Sequence, residues 1–279
     1  MSMPKVAYQG IPGANSEIAV RQHFGDAVQP IPCQDLNRLF DALQTNAVEY
    51  SLLPVENALA GSVAGAYEML LDHDVRIQAE VILHVHHNLL ASPGVTMQDI
   101  QQVRSHPQAL MQCKRFLERN GFEPFGWYDT AGAAQDLAKS PEPGIAVIAS
   151  LLAGKMYELD VLAQEIEDEP FNYTRFLLMG HGDPPPGEYN KTSIVFATRN
   201  RPAALYECLG EFAKRDLNLT KLESRPRRNR PWEPLFYLDF EAHWQEQRCQ
   251  ELLMQLLQLT SFVKMLGSYP AVRSGTVGM

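Results

Sequence analysis

The sequence predicts an α/β protein whose second part is ferredoxin-like. In the first part, short apolar runs alternate with helical patterns, which is typical of an α/β sheet with mostly parallel strands. The second part reads strand, helix, strand, strand, helix, strand, which is the ferredoxin-like order. Residues 181–187 include three consecutive prolines, which cannot continue a helix or a central strand. We therefore expect a linker there.

The elements of the first part follow from local patterns. Apolar residues at 6–8 predict a strand, and a helix is expected from about Ser16. Further strands are predicted at 50–55, 78–83, 101–105 and 145–149, with one helix carrying Leu110, Cys113 and Leu117 and another over 131–138.

In the second part, Leu205, Cys208, Leu209 and Phe212 have the i, i+3, i+4, i+7 spacing of one helix face. Leu253, Leu256 and Leu257 predict a second helix. Strands are predicted at 193–197, 219–224, 236–240 and 262–266, and the tail after Pro270 is small and polar.

Composition narrows the class of partner. A formal net charge of −9 argues against nucleic acid, because phosphate binding needs a basic face. Arginines 225, 227, 228 and 230 are interrupted by Pro226 and Pro231, which predicts a solvated turn between strands. No apolar run reaches membrane-spanning length, so no membrane partner is expected.

Cysteine spacing and the N-terminal sequence indicate the compartment. The four cysteines lie far apart and form no Cys-x-x-Cys pair, which favours buried free thiols in a reducing environment. The first residues run directly into a strand without a signal or transit pattern. We expect a cytoplasmic protein.

Several strand-to-helix junctions carry polar residues. In α/β sheets, ligands bind at the carboxyl ends of strands, where helix N-termini point inward. At the first junction, Gly10 and Gly13 let backbone N–H groups face an anion, and Asn15 or Ser16 is expected to cap the helix. This turn lacks a dinucleotide fingerprint and a Walker lysine.

Three further junctions carry hydrogen-bonding groups. Glu56 and Asn57 follow a strand, where Glu56 is either a partly buried acid with a raised pKa or part of a solvated loop. Ser105 and Gln108 have capping-box spacing, and Gln112 shares the helix face of Gln108. Thr130 is expected to cap the next helix or to donate to a ligand.

The segment 172–176 places Thr174 and Arg175 side by side at the start of an apolar strand. Arginine binds a carboxylate with two hydrogen bonds, and the hydroxyl supplies a third. The alternative is a structural arginine that neutralises the preceding acids. Phe176 is expected to be a packing anchor.

Metal and nucleophilic chemistry are not predicted. His84, His86 and His87 lack a further ligand at a recognisable spacing. Ser105 and His106 are adjacent, so they cannot face each other as nucleophile and base without an unusual turn. No cofactor and no metal are expected, and the residue set suits a small anion.

Together these segments resemble the prephenate dehydratase family, including its arogenate dehydratase members. The similar motifs are residues 54–57, 61–62, 105–108, 129–133, 174–176, 218–221 and 223–226, in family order. Two positions depart from the family pattern. Ala58 replaces a common hydroxyl residue, and Ala203 stands where a glycine usually opens the first helix of the regulatory domain.

The resemblance implies a two-lobed, periplasmic-binding-protein-like catalytic domain at 1–181. A linker at 182–190, a ferredoxin-like βαββαβ ACT domain at 191–271 and a tail at 272–279 would follow. The implied reaction is loss of carbon dioxide and the ring hydroxyl from prephenate, giving phenylpyruvate. The ACT domains would pair in a homodimer, or within a tetramer, and bind L-phenylalanine as a feedback inhibitor.

The resemblance also implies site residues. The catalytic candidates are Thr174, Glu56, Asn57, Ser105 and Gln112. The substrate-binding candidates are Arg175, Thr130, Ala131, Gln108, Gly10 and Ser16. The effector-binding candidates are Ala203, Ala204, Leu205, Asn218, Leu219, Glu223, Ser224, Arg225 and Pro226.

Two alternatives stay open from the sequence. Arogenate, which has an amino group in place of the keto group, is the other substrate of this class. A non-catalytic amino-acid sensor is the alternative from a different class. The sequence shows no DNA-binding helix-turn-helix and no secretion signal through which such a sensor would act.

Overall fold

The computed structural model describes residues 3–227 and 230–272, and only the backbone of residues 230–232. Within these residues the chain forms three sheets. Its contacts divide it into two compact units. The first runs to Val63 and continues over Ile82–Phe176, and the second comprises Ala64–Val81 and the chain from Leu177.

The first sheet has the strand order β2-β1-β3-β11-β5, with the short strand β4 paired to β3. Its strands are β1 (Lys5–Gln9), β2 (Gln29–Cys33), β3 (Tyr50–Asn57), β4 (Gly61–Ser62), β5 (Arg76–His84) and β11 (Tyr173–Gly180). Its helices are α1 (Asn15–Phe24), α2 (Leu36–Gln44) and α3 (Ala66–Asp72). Strand β1 pairs in parallel with both β2 and β3.

The second sheet has the strand order β10-β6-β9-β7-β8. Its strands are β6 (Asn88–Ala91), β7 (Gln102–Ser105), β8 (Glu123–Gly126), β9 (Ile145–Ala149) and β10 (Asp160–Ala163). Its helices are α4 (Pro107–Gln112), α5 (Lys114–Asn120), α6 (Thr130–Lys139) and α7 (Leu151–Met156), with a short 3₁₀ helix at Met97–Asp99. Strand β7 pairs in parallel with β8 and β9, whereas β6 is antiparallel to β9 and β10. This sheet is therefore mixed rather than mostly parallel.

One predicted helix is broken in two. Leu110, Cys113 and Leu117 were expected on a single helix, but Cys113 (φ −114°, ψ 19°) separates α4 from α5. All three side chains still pack into the core of the second sheet. Their shared apolar face survives the break because the chain bends around a buried cysteine.

The third sheet has the order β13-β14-β12-β15, and every pairing in it is antiparallel. Its elements are β12 (Asn190–Thr198), α8 (Ala204–Ala213), β13 (Leu219–Arg227), β14 (Arg230–Glu241), α9 (Gln247–Leu259) and β15 (Thr260–Pro270). This order of strands is that of the predicted ferredoxin-like fold. Cys208, Phe212 and Leu256, from the two predicted helix stripes, lie buried in its core with Phe196 and Phe240.

The second unit also contains α3 and the first part of β5. The ammonium of Lys264 donates to the carbonyls of Leu70, Leu71 and His73 at 2.7–3.0 Å, and so closes the C-terminal end of α3. Lys191 and Glu80 form a buried ion pair at 3.0 Å. Helix α3 and this part of β5 lie within residues 1–181, which the sequence assigns to the catalytic domain. The domain boundaries expected from the sequence stay a prediction.

The arginine-rich segment was interpreted wrongly in part. Arg225, Pro226 and Arg227 lie within strand β13 and not in a solvated turn. Arg225 donates to Glu223 at 2.7 Å, and its guanidinium lies 5.8 Å from the ring centre of Tyr67. Arg228 lies outside the described residues.

Candidate active site

A cavity of about 640 Å³ lies in the first unit, at the carboxyl ends of β1 and β8. Gly10 and Ser16 line it on one side, and Tyr128, Asp129 and Thr130 on the other. Its volume is that of a site for a small molecule. Three of the predicted substrate-binding residues are therefore brought to one cavity by two different sheets.

Two helix N-termini begin at this cavity. Helices α1 and α6 are each ten residues long, and each starts at residues that line the cavity. The N-terminus of a helix carries partial positive charge and backbone N–H donors, which favour an anion. A small anionic molecule suits a cavity with two such ends.

The caps of these helices differ from the prediction. Neither Asn15 nor Ser16 caps α1, whose N-cap is Ala14 without a side-chain hydrogen bond. At α6 the cap is Asp129, which accepts from the N–H of Gly132 at 2.8 Å, and Thr130 is the first helical residue. The uncapped start of α1 fits a ligand that satisfies the N–H groups in place of a side chain.

Buried Glu17 holds the glycine turn that opens α1. It accepts hydrogen bonds from the N–H of Gly13 at 2.9 Å and from the hydroxyl of Tyr8 at 3.1 Å, and it pairs with Arg21 at 2.6 Å. Burial and the neighbouring carboxylate raise the pKa of Tyr8, which keeps its hydroxyl protonated and donating. This carboxylate therefore organises the turn.

The turn also meets helix α7 of the second sheet. Ser150 donates to the carbonyl of Gly13 at 2.6 Å, and the hydroxyl of Tyr157 donates to the carbonyl of Pro12 at 2.7 Å. Gly13 has φ +89°, and a Cβ there would lie 2.8 Å from the Cα of Ala153. Only glycine fits this approach, because both the backbone angle and the space exclude a side chain.

Tyr128 covers the start of α6. Its hydroxyl donates to Asp136 at 3.0 Å, and burial together with this hydrogen bond raises the pKa of Tyr128 to about 12. A Cβ on Gly132 would lie 2.5 Å from the tyrosine ring. A larger residue at this position of the 129–133 motif would therefore require the exposed ring of Tyr128 to move aside.

Thr174 and Asn57 are brought into direct contact at the ends of β11 and β3. The side-chain amide nitrogen of Asn57 lies 3.0 Å from the hydroxyl oxygen of Thr174 and donates to it. The amide oxygen of Asn57 accepts from the N–H groups of Leu59 and Ala60 at 3.1 and 3.0 Å. The orientation of this amide is thereby fixed, with its donors toward Thr174.

Asn172, Gln112 and His87 continue this contact. Asn172 accepts from the amide nitrogen of Asn57 at 2.9 Å and donates to the side-chain oxygen of Gln112 at 3.2 Å. The Nε2 atom of His87 lies 2.7 Å from the same oxygen. Burial lowers the pKa of His87, so the ring is neutral at physiological pH.

Ser105 does not act as the predicted cap. Its side chain is fully buried, and its hydroxyl donates to the carbonyl of Ile148 at 2.6 Å. The cap of α4 is His106, whose ring accepts from the N–H of Gln108 at 3.2 Å. The capping-box prediction was wrong because the serine hydroxyl is used to join two strands of the second sheet.

The remaining predicted residues lie on β3, α4, α6 and β11. Glu56 faces Ser62 across the β3–β4 pair, Ala131 is buried in the first turn of α6, and Gln108 is half-buried on α4. Arg175 is half-buried in β11. Because successive side chains of a strand point to opposite faces, Thr174 and Arg175 are not side by side as expected. Phe176 is buried, as predicted for a packing anchor.

The histidines do not form a metal site within residues 3–227 and 230–272, where no group of three or more metal-binding side chains occurs. Nδ1 of His86 lies 2.8 Å from a carboxylate oxygen of Glu167. The same carboxylate accepts from the backbone N–H of His87 at 2.9 Å. His84 stacks on Tyr173 with ring centres 4.5 Å apart. The four cysteines are free and buried, as predicted.

A smaller cavity of about 260 Å³ lies in the second unit. Ala203, Ala204 and Leu205, three of the predicted effector residues, line it with Glu233 and Pro234. Ala203 has φ +65°, in the region that favours glycine. The other predicted effector residues lie just before or on β13: Asn218, Leu219, Glu223, Ser224, Arg225 and Pro226.

Comparison with known proteins identifies the family. The sequence model of a family described as prephenate dehydratase matches residues 6–184. The chain belongs to the prephenate dehydratase family. The predicted dehydratase class is thereby confirmed, and the family's curated members include plant enzymes named for arogenate as well as for prephenate.

Two plant relatives match along most of this chain. The arogenate dehydratase/prephenate dehydratase 2 of Arabidopsis thaliana, named as chloroplastic, is 40% identical over 96% of this chain and 73% of its own length. Arogenate dehydratase 2 of Petunia hybrida is 39% identical over 96% and 72%.

Solved structures agree with the fold. A prephenate dehydratase from Arthrobacter aurescens in complex with L-Phe is 28% identical, with a TM-score of 0.87, and the match covers 97% of this chain and 93% of that one. A protein titled GqqA, a novel type of quorum quenching acylases, is 32% identical with a TM-score of 0.90, over 96% and 98%. The predicted fold class, two α/β lobes followed by a ferredoxin-like sheet, is confirmed.

Sequence reasoning missed Asn172, His87 and Glu17 as parts of the site. Asn172 was noted only as the residue before the Thr-Arg-Phe triplet, and His87 was weighed only as a metal ligand. Glu17 stands four residues after Gly13, a spacing that places its carboxylate back over the turn. That spacing was the one signal in the sequence for it.

No helix in the described part of the chain is both long and apolar enough to cross a bilayer.

Proposed function

We propose that this chain catalyses the decarboxylative dehydration of prephenate to phenylpyruvate in L-phenylalanine biosynthesis. The observation that carries the proposal is the contact between Asn57 and Thr174. Because the Thr174 oxygen accepts from the Asn57 amide, its own hydrogen is left to donate to a ligand. The ring hydroxyl of prephenate, which must depart, is a matching acceptor.

The proposed reaction needs no electron sink. The bond from the ring to its carboxylate breaks and carbon dioxide leaves, while the electron pair enters the ring and expels the ring hydroxyl. The departing hydroxide takes a proton and becomes water, and aromatisation of the ring drives the change. A threonine hydroxyl is too weakly acidic to transfer its proton fully. Thr174 would therefore stabilise the developing charge by a hydrogen bond, and Glu56 is the proposed proton source.

The two carboxylates of prephenate are matched by cationic or donor groups. We assign one to the helix N-termini at the cavity, where the N–H groups of Ser16 in α1 and of Thr130 and Ala131 in α6 would supply donors. Gly10 lines the cavity, and its own N–H donates to the carbonyl of Cys33 at 2.8 Å. Arg175 is the proposed clamp for the other. Gln108 and Gln112 complete the proposed donor set, whereas the Ser105 hydroxyl already donates to the carbonyl of Ile148.

The test is to mix the purified protein with prephenate and with arogenate in separate assays. Phenylpyruvate is followed by absorbance and phenylalanine by chromatography. We expect a higher kcat/KM for prephenate, and a higher value for arogenate would reverse the assignment of substrate. The plant relatives named for arogenate make this comparison necessary. No product from either substrate would favour the amino-acid sensor.

We further propose that the ferredoxin-like sheet is an ACT domain that binds L-phenylalanine between two copies of the chain in a homodimer or tetramer. The L-Phe complex of the Arthrobacter aurescens protein supports phenylalanine as the ligand class. We place the amino and carboxyl groups of phenylalanine near Ala203, whose backbone has φ +65°. We also expect the protein to be cytoplasmic.

The effector proposal is tested by adding phenylalanine to an active sample. We expect inhibition or a change of oligomer size. We expect Ala203→Gly to be inhibited at lower phenylalanine concentrations, because this variant lacks the methyl group beside the bound phenylalanine. The absence of any effect on both proteins would contradict the effector site.

A further inference from the structure

A chain of polar side chains, buried at His87 and Asn172 and half-buried at Gln112 and Asn57, links His87 to the hydroxyl of Thr174. Its members come from separate places: His87 lies between β5 and β6, Gln112 ends α4, Asn172 precedes β11, and Asn57 ends β3. Asn172 is 0% exposed and His87 is 4% exposed. Burying polar groups is costly unless each one is hydrogen-bonded, so a connected network at this depth calls for a reason.

The hydrogen bonds of this chain have defined directions. A distance of 2.7 Å between His87 Nε2 and the oxygen of Gln112 requires a hydrogen between the two atoms, and only the ring can supply it. The neutral ring therefore carries its proton on Nε2, and the amide nitrogen of Asn172, 3.4 Å from the same atom, donates to Gln112 instead. The amide oxygen of Gln112 is thereby held toward His87, where it also accepts from Asn172.

The next two hydrogen bonds fix the amide groups of Asn172 and Asn57 relative to Thr174. Since the amide nitrogen of Asn172 faces Gln112, its oxygen faces Asn57 and accepts at 2.9 Å. The Asn57 amide nitrogen directs its hydrogens to Asn172 and, at 3.0 Å, to Thr174, and the carbonyl of Tyr173 accepts from the same nitrogen at 3.2 Å. A flipped Asn172 would present a donor to the Asn57 donor and would disturb the contact with Thr174.

We propose that His87 and Asn172 are positioning residues of the dehydration, which keep the Thr174 hydroxyl an acceptor toward Asn57 and a donor toward the substrate. They act through Asn57 and Gln112 and do not touch the substrate. The inference rests on the proposed function, because Thr174 is assigned there as the donor to the departing hydroxyl.

The experiment compares His87→Leu, which removes the N–H donor, with His87→Gln, which keeps one. We expect His87→Leu to lower kcat with prephenate by about 10- to 100-fold, since a small misplacement of a reacting group has effects of this size. The KM should change less than about twofold, because an interaction felt mainly in the transition state is lost. His87→Gln should recover most of the loss.

Two comparisons separate positioning from a structural role. His243→Leu replaces another histidine that is 4% exposed, in the second unit, and should leave kcat unchanged per folded molecule. The double variant Thr174→Val/His87→Leu should be no slower than Thr174→Val alone, because His87 acts through the hydroxyl that is already absent. Thermal unfolding of each variant gives the folded fraction.

The outcomes distinguish the two proposals. If the unmodified protein turns over neither prephenate nor arogenate, the proposed function falls. If it is active and Thr174→Val is impaired, a normal kcat in His87→Leu overturns the positioning role. A loss that glutamine does not recover, or a loss that only follows the unfolded fraction, also overturns it.

Discussion

The hydroxyl of Thr174 accepts a hydrogen bond from Asn57 and donates none to the described residues. At the scale of single residues, the candidate site depends on this hydrogen-bond direction, which leaves the Thr174 hydrogen available to a ligand. Because side chains alternate along a strand, Thr174 and Arg175 leave β11 on opposite faces, so in the proposed function they would contact different groups of the substrate.

Thr174→Val removes the hydroxyl and keeps the shape of the side chain. We expect kcat to fall by about 10²–10³, as is typical for loss of one hydrogen-bond donor to a developing charge. The KM for prephenate and the folding of the protein should be nearly unchanged. Thr174→Ser, which keeps the hydroxyl, is the control, and near-normal turnover of the valine variant would contradict the assignment.

At the scale of elements, the decisive feature is the turn between β1 and α1. It is held by Glu17 from within the helix and by Ser150 and Tyr157 from the second sheet. The turn thus places the N-terminus of α1 at the cavity without using a capping side chain. Its geometry depends on glycine at position 13.

Gly13→Ala should destabilise the protein by more than the backbone angle alone explains. Alanine at positive φ costs about 1–2 kcal/mol, and overpacking against Ala153 adds about 1–3 kcal/mol. Gly94→Ala is the matched control, because Gly94 has φ +82° with nothing within 4 Å of an added Cβ. Urea unfolding measures both, and equal losses of unfolding free energy would show that the close approach is unimportant.

At the scale of the whole molecule, each unit contains one buried histidine whose pKa is lowered by burial. His87 lies in the first unit and His243 in the second, and each is 4% exposed. For His87, the Glu167 carboxylate opposes this shift and His86 adds to it. There is therefore a pH range in which both histidines are neutral in the folded chain and protonated in the unfolded chain.

We expect the free energy of unfolding to fall as the pH drops below about 6.5, the ordinary histidine pKa. The unfolded chain takes up the protons first, so the loss continues until the lowered pKa of each folded histidine is reached. Thermal unfolding between pH 7.5 and pH 5 measures the slope. His87→Gln and His243→Gln should each reduce it, and an unchanged slope in both variants would exclude these histidines as its source.

Much of the element order could be predicted from the sequence. Alternating apolar residues at 236–240 identified β14, and the stripe through Cys208 and Phe212 identified α8, because local periodicity reports which face is buried. The break between α4 and α5 could not be predicted, because one apolar face spans both helices. The roles of Ser105 and Asp129 could not be predicted either. The Ser105 hydroxyl donates to the carbonyl of Ile148 in another strand, and Asp129 rather than Thr130 accepts from the N–H of Gly132.

The sequence by itself determined the family, the two kinds of sheet and the residue types at the strand ends, since motifs and periodicity are local properties of a chain. Only the tertiary structure decided which of those residues meet. Asn57 and Thr174 are 117 positions apart, and their contact requires the end of β3 to lie beside the start of β11. The inclusion of Asn172 and His87 was decided in the same way, because hydrogen-bond direction depends on positions in space that no spacing along the chain encodes.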